Sequence, residues 1–245
     1  MFYFEDFNGK KVLKSSLLNE VEHFFTTRDF ILTTGEREEL KDLTEENRTF
    51  LCSKLGIPRQ NLICAKQTHS DNICSYEGST NFFDNCDALI SNKTNTAIIL
   101  NFADCVPIIL FDETKKIAAV VHAGWRGTAQ KILSKTIEKF EEDFGSAPSD
   151  IIAAIGPSIG KCCFETRKEA FEQLINEDTK QFCSFDKEKN KYYIDLKQLN
   201  KKQLLDNGVV KIDVSDYCTC CMSDIFFSYR KEKGKTARHS AIIKL

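Results

Sequence analysis

A mixed α+β fold in a single domain is the architecture predicted by this 245-residue sequence. Three observations carry the prediction. Apolar runs of strand length come in pairs joined by short polar links, and segments with helical periodicity fall between the pairs. No Pro/Gly/Ser-rich linker or internal repeat divides residues 1–245. A regular βαβ alternation would interleave strands and helices one by one, and these runs do not.

The segment through Thr34 holds short apolar runs, Phe2 to Phe4 and His23 to Phe25, and reads as strand-rich. Glu36 to Leu55 places Leu40, Leu43, Asn47, Phe50, Leu51 and Leu55 near a 3.6 period, with Gly56 and Pro58 as its stop. Asn61 to Ala65 and Asn72 to Tyr76 are short strands on either side of the polar loop Lys66 to Asp71. Cys86 to Ser91 and Thr96 to Phe102 are two more. Val106 to Asp112 and Ile117 to Ala123 form a hairpin, followed by a helix in which Ala129, Ile132, Leu133, Ile137, Phe140 and Phe144 recur three or four apart. Thr128 is its expected N-cap and Gly145 its expected stop. Ile151 to Ile155 is a buried strand running into the irregular loop Gly156-Pro157-Ser158-Ile159-Gly160. A helix over Glu165 to Ile175, a strand over Tyr192 to Asp195, a helix over Leu196 to Asp206 and strands over Val209 to Val214, Ile225 to Tyr229 and Ala241 to Ile243 complete the expectation.

Composition excludes several function classes. A net charge of −2 provides no global field for nucleic acid or an anionic membrane. No apolar run approaches the length of a membrane span, and the N-terminus MFYFEDFNGKKVLK has acids among its first apolar residues in place of a signal-peptide core. A cytoplasmic protein is expected. The 11 cysteines show no disulfide-framework spacing, so most read as reduced packing residues. Two groups stand apart, Cys162-Cys163 and Cys218-Thr219-Cys220-Cys221. Cys218 and Cys221 have C-x₂-C spacing but no second such pair nearby, which makes a metal site built from both groups the minor reading.

The hairpin carries the chemistry. With its turn centred between Glu113 and Thr114, Cys105 falls opposite His122, within about 5.5 Å at the Cα atoms. A one-residue slip would send the two to opposite faces. Asp104 comes directly before an apolar run, where an acid has no packing role. After His122, Gly124 and Gly127 form a sharp strand-to-helix turn, which exposes backbone N–H groups to an anion, with Arg126 as an added fork or simply a surface residue. Of the other histidines, His23 reads as a packed strand residue and His239, beside Lys235 and Arg238, as surface. His69 lies in a polar loop, where site residues concentrate. His69, Cys105 and His122 together make two nitrogens and one sulfur. Three protein ligands with a fourth position open is the pattern of a catalytic zinc, whose bound water has its pKa lowered toward ~7.

Six ordered segments extend this reading: Lys66-Gln67-Thr68-His69, Cys86-Asp87-Ala88-Leu89-Ile90, Ala103-Asp104-Cys105, Val121 to Gly127 (VHAGWRG), Ile155 to Gly160 (IGPSIG) and Phe226 to Arg230 (FFSYR). Through them the chain, from about Leu55 onward, resembles the YfiH/YlmD-type laccase-domain family, also called the multicopper polyphenol oxidoreductase laccase family. The resemblance implies an α/β/β/α layered mixed-sheet sandwich and one zinc held by His69, Cys105 and His122. It also implies phosphorolysis of adenosine, inosine, guanosine and methylthioadenosine, with inorganic phosphate as co-substrate, and deamination of adenosine. Arg48, matching the family's Asn-Arg pair as Asn47-Arg48, and Arg126 are the candidates for binding phosphate, although Arg48 equally suits a helix salt bridge. Asp104 is the candidate for orienting a ligand histidine, or it caps a strand. Two stretches depart from the family pattern: Phe30 to Arg37 reads FILTTGER, and the family's Thr-Gly-Arg is Thr236-Ala237-Arg238.

Three rival functions use the same residues. A copper-dependent polyphenol oxidase needs more ligands than one Cys/His/His set provides for a four-copper centre. A metal-free hydrolase or deamidase would use Cys105 as nucleophile and His122 as base. A scaffold that binds metal without turnover is the third.

Overall fold

The computed structural model describes residues 1–35 and 37–245. Two large sheets lie face to face. One has seven strands in the edge-to-edge order Phe2–Phe7, Lys10–Ser15, His23–Thr26, His239–Lys244, Ala97–Phe102, Leu62–Ala65 and Phe82–Phe83. The other has six: Lys211–Val214, Ile151–Ile155, Val106–Asp112, Ile117–Ala123, Ala88–Ser91 and Ile73–Ser75. Both mix parallel and antiparallel pairs, which is why the sequence shows hairpins and crossovers together.

Alternation along each strand sets the layers. Ile109 and Phe111, with Ala118 and Val120, pack against Leu100, Phe102 and Ala241 of the opposite sheet. Ile108, Leu110, Ala119 and Val121 face the other way, onto helix α3 (Ile132–Phe144) and helix α5 (Leu196–Asp206). On the far side of the seven-stranded sheet, Phe24, Leu62, Ile99 and Ile242 bury Leu51, Cys52 and Leu55 of helix α1 (Lys41–Leu55). The order is helix, sheet, sheet, helix, as the resemblance implies. A three-stranded sheet, Glu165–Thr166, Lys191–Ile194 and Cys183–Asp186, adjoins helix α4 (Lys168–Leu174).

Several expectations need correction. The helix after the hairpin is broken in two: a short α2 (Trp125–Ala129) is capped by Gly124, and Lys131 adopts a left-handed conformation (φ 60°) before α3 begins. Thr128 is therefore inside α2, where its hydroxyl accepts from Asn200 Nδ2 at 3.0 Å, and it caps nothing. Gly145 does end α3, at φ 64°, with its N–H on Glu141 O. The expected strand at Ile225 to Tyr229 is a series of turns, because Ile225 and Phe226 both donate to Met222 O and Arg28 Nε gathers the carbonyls of Ser223 and Phe226. Cys183–Asp186 is a strand the sequence reading lacks, and the helix placed over Glu165 to Ile175 begins only at Lys168. Glu36, the expected first residue of the Leu55 helix, lies outside the described residues; regular α-helix is present from Lys41.

Candidate metal centre and active site

The hairpin brings Cys105 and His122 to one face, but by a different register. Ile117 pairs with Asp112 and His122 with Pro107, two residues along from the expected pairing. The turn is centred one residue later because Asp112 Oδ1 accepts the N–H groups of Thr114 and Lys115, which makes the whole link Glu113 to Lys116 the loop. A two-residue shift preserves the side-chain face, so both groups still point between the sheets.

His69 reaches the same point from the loop after Leu62–Ala65. The ligand atoms of His69, Cys105 and His122 all lie within 4.8 Å of one another, with Cys105 Sγ 3.7 Å from His69 Nε2. The two imidazole rings meet edge to face at 4.9 Å. Their common floor is Gly124: a Cβ there would come within 3.1 Å of both Cys105 Sγ and His69 Cδ2. Any larger residue would push the donors apart.

One buried carboxylate organises the set. Asp87 Oδ1 accepts from His122 Nδ1 at 2.7 Å and from the His69 N–H at 3.1 Å. Its Oδ2 accepts from the N–H groups of Thr68 and Ser70 and from the Ser70 hydroxyl. His69 has a left-handed backbone (φ 61°), a conformation that ordinarily costs an L-residue about 1–2 kcal/mol. The Asp87 bonds to Thr68, His69 and Ser70 hold the loop in it. With Nδ1–H committed to Asp87, His122 presents Nε2 to Cys105 and the cavity. Gln67 fixes the loop's other end, donating to Asn101 O and accepting from Asn101 N–H, both at 2.8 Å.

These contacts set the charges. Burial opposes ionisation of Asp87, but hydrogen bonds from His122 and Ser70 outweigh it and hold the carboxyl well below its usual range. Burial likewise works against a charged His122, yet Cys105 and Asp87 raise it to about 9. For Cys105, burial would push the thiol up, while the His122 charge and hydrogen bonds from both histidines bring it down to about 6. Without a metal the pair is a thiolate and an imidazolium. Two imidazole nitrogens and a low-pKa thiol this close together fit a borderline divalent ion such as zinc.

A cavity of about 840 Å³ opens over the three groups. Its lining includes the cations Lys66, Arg230 and Arg238 and the aromatic rings of Trp125, Phe164 and Tyr229. Asp104 lines it too, with φ 83°, but its carboxylate turns away from the histidines to accept from Thr219 Oγ1 and the Arg230 N–H, both at 2.7 Å. It is Asp87 that orients His122. The cavity lining does not include Arg48 or Arg126. Arg48 donates Nε to Leu32 O at 2.6 Å and pairs with Glu45 one turn away, and the exposed Arg126 lies over the Trp125 ring at 4.3 Å. Sequence reasoning missed Asp87, Lys66, Arg230 and Arg238 as site residues, although three of the four lie in the quoted segments. An acid directly before an apolar strand, the signal noted at Asp104, was equally present at Asp87.

Known proteins share the fold and much of the sequence. The crystal structure of Bacillus licheniformis YfiH, described as a hypothetical protein, superposes with a TM-score of 0.89 at 28% identity, covering 99% of this chain and 98% of that one. Purine nucleoside phosphorylase YlmD of Bacillus subtilis is 31% identical over 228 residues, 86% of this chain and 81% of its own length. A purine nucleoside phosphorylase of Clostridium acetobutylicum is 38% identical over 173 residues, 70% of this chain and 71% of its own. The family model described as multi-copper polyphenol oxidoreductase laccase matches residues 29–245, and with these relatives the chain belongs to that laccase-domain family.

Proposed function

We propose that this protein is a zinc-dependent purine nucleoside phosphorylase, acting on adenosine, inosine, guanosine and methylthioadenosine, with adenosine deaminase activity. The observation that carries the reading is the convergence of His69, Cys105 and His122 on a cavity lined by three cations and three aromatic rings. The names of the relatives supply the substrate class. The whole chain, residues 1–245, is read as one domain working in the cytoplasm on small molecules, with neither nucleic acid nor membrane as partner.

In phosphorolysis a phosphate oxygen attacks ribose C1′ as the bond to the purine breaks, so the site must hold an anion beside a planar base. Arg230 and Arg238 are placed for the anion, and their guanidinium forks suit phosphate oxygens. Arg230 is braced for this, with Nη1 on Cys163 O and Nη2 on Glu165 O, both at 3.0 Å. Asp104 contributes by holding the Arg230 backbone. Trp125, Phe164 and Tyr229 offer faces for the purine. A zinc ion held by His69, Cys105 and His122 would supply a Lewis acid and a water of lowered pKa, the chemistry deamination requires. Asp87 keeps His122 in the tautomer that can take part.

Adenosine and inosine incubated with purified protein, with and without phosphate, test the reading by chromatography of the products. Free base and ribose 1-phosphate are expected only with phosphate, and a His122→Ala variant should form neither. Inosine from adenosine without phosphate marks deamination. If zinc-loaded protein yields none of these, the nucleoside reading fails. A second reading, a metal-free hydrolase, draws on the low thiol pKa of Cys105 beside His122. It predicts turnover that survives chelation, and zinc near one per chain with loss of activity on chelation would overturn it.

A further inference from the structure

The loop after Ile151–Ile155 and the turns after Lys211–Val214 come together at the rim of the cavity. Ser158 bridges Cys218, Thr219 N–H donates to Ser158 O at 3.0 Å, and Gly160 N–H donates to Cys218 Sγ at 3.1 Å. Four thiols meet at this junction. Cys162 Sγ is 3.7 Å from Cys221 Sγ and Cys163 Sγ is 3.4 Å from it, and all four sulfurs, with Cys218, lie within 4.8 Å of one another. A tetrahedron of sulfurs about a zinc ion at the usual bond length of about 2.3 Å has edges of about 3.8 Å. The two separations from Cys221 are close to that edge, and no pair of the four sulfurs exceeds it by more than about 1 Å. All four are free thiols in this structure, none joined in a disulfide.

Packing does not account for the cluster. Cys162 and Cys221 are exposed and Cys163 is half-buried, whereas cysteines used as small apolar residues are among the most buried side chains. The backbone is fitted to the sulfurs. A Cβ on Gly160 would come within 3.2 Å of Cys162 Sγ, and the Gly160 N–H aims at Cys218 Sγ as at an anion. Lys197, with its ammonium buried on the carbonyls of Ser215 and Tyr217, lies beside the Cys218 turn, where Cys218 and Cys162 act on its charge together with the carboxylates Asp195 and Asp216. Four thiolates on a divalent ion leave a net charge of −2, for which such a cation is suited.

We propose that Cys162, Cys163, Cys218 and Cys221 bind one zinc ion in a closed, all-thiolate site. Binding releases the four thiol protons and leaves no open position, so the ion is structural. It staples the loop bearing Ile159 and Phe164, which line the cavity, to the turn bearing Thr219, whose hydroxyl holds Asp104. Through Cys163 O it also sets the brace on Arg230. Sequence spacing shows only half of the site: Cys218 and Cys221 have C-x₂-C spacing, but Cys162-Cys163 is not a paired-ligand motif and lies far from them along the chain.

Zinc content and X-ray absorption of protein purified under reducing conditions test the site independently of the nucleoside reading. The His122→Ala variant is expected to retain one zinc with four sulfur neighbours at about 2.3 Å. Cys221→Ser and Cys162→Ser should each lose one zinc relative to wild type, and Cys220→Ser, outside the cluster, none. Should either cluster variant fail to fold, the His122→Ala measurement leaves the cluster native and still decides. Cluster variants that keep the full zinc content overturn the proposal. So does a zinc-free His122→Ala protein, iron in the all-sulfur site, or a Cys162–Cys221 or Cys163–Cys221 disulfide in the reduced preparation. If wild type holds a single zinc that follows Cys221 and not His122, this site stands and the Cys/His/His reading falls.

Discussion

Two buried histidines flank the same phenylalanine between the sheets, and they are held in opposite states. The ring of His122 lies 5.4 Å from that of Phe102, and the ring of His239 lies 6.3 Å from it on the neighbouring strand. His122 is raised to about 9 despite burial, because Cys105 and Asp87 face it. Among the described residues no carboxylate pairs with His239, and neither ring nitrogen makes a well-formed hydrogen bond, the Pro157 carbonyl being its one polar neighbour. Burial drives it down to about 3 against the opposing pull of the Pro157 carbonyl. Depth in this layer therefore does not decide charge. One carboxylate and one thiol convert a packed neutral histidine into a charged one.

Replacing Asp87 with asparagine should break that difference with the largest effect. The change removes the negative charge beside His122 and leaves one oxygen in place of two, so the amide N–H₂ must face either His122 and the His69 N–H or the N–H groups of Thr68 and Ser70. The cost in stability should be about 3 kcal/mol, the range for breaking a buried, hydrogen-bonded pair. Zinc affinity or turnover should fall 10–100-fold, as for other partners of ligand histidines. Denaturant titration and zinc competition measure the two. An unchanged zinc affinity would show that Asp87 is only a loop anchor.

The His239 half of the comparison shows in acid. A histidine with a lowered folded pKa stabilises the fold above its unfolded value of about 6.5, and that stability is lost as pH falls toward the folded value of about 3. Between pH 6.5 and 5 the loss should be about 2 kcal/mol. In a His239→Leu variant this part of the pH dependence should disappear, leaving the carboxylates to act lower down. Equal slopes for the two proteins over that interval would mean that His239 is solvated or partnered.

How much of this was legible follows from the range of each interaction. Alternation and helical period placed the strands around the hairpin and the three longest helices, α1, α3 and α5, since those signals are local. The shared face of Cys105 and His122 was legible, while the register was not, because the Asp112 cap that centres the turn is a side-chain contact. His239 reads as surface beside Lys235 and Arg238, yet it opens a strand in the middle of the seven-stranded sheet, a fact fixed by its neighbours Ala97–Phe102 and His23–Thr26. The cavity cations were hidden for the same reason. Arg126 follows the histidine in sequence but turns outward, whereas Arg230 arrives from the far end of the chain.

The smallest effect concerns Cys105, and it separates charge from stability. In zinc-free protein the thiol should titrate at about 6, so its alkylation rate should rise with pH through an inflection there instead of near 9. Folding stability should nonetheless stay level over that range. Taken alone, Cys105 contributes stability present above pH 9 and lost as pH falls through 6, while His122 contributes stability present below 6.5 and lost as pH rises through 9. From about 6.5 to 9 the folded chain carries the His122 proton that the unfolded chain lacks and lacks the Cys105 proton that the unfolded chain carries. The two slopes cancel. In Asp87→Asn the imidazolium loses a partner, so the alkylation inflection should move up toward that of an ordinary thiol. An inflection near 9 in the wild-type protein would remove the ion pair, and with it the contrast with His239.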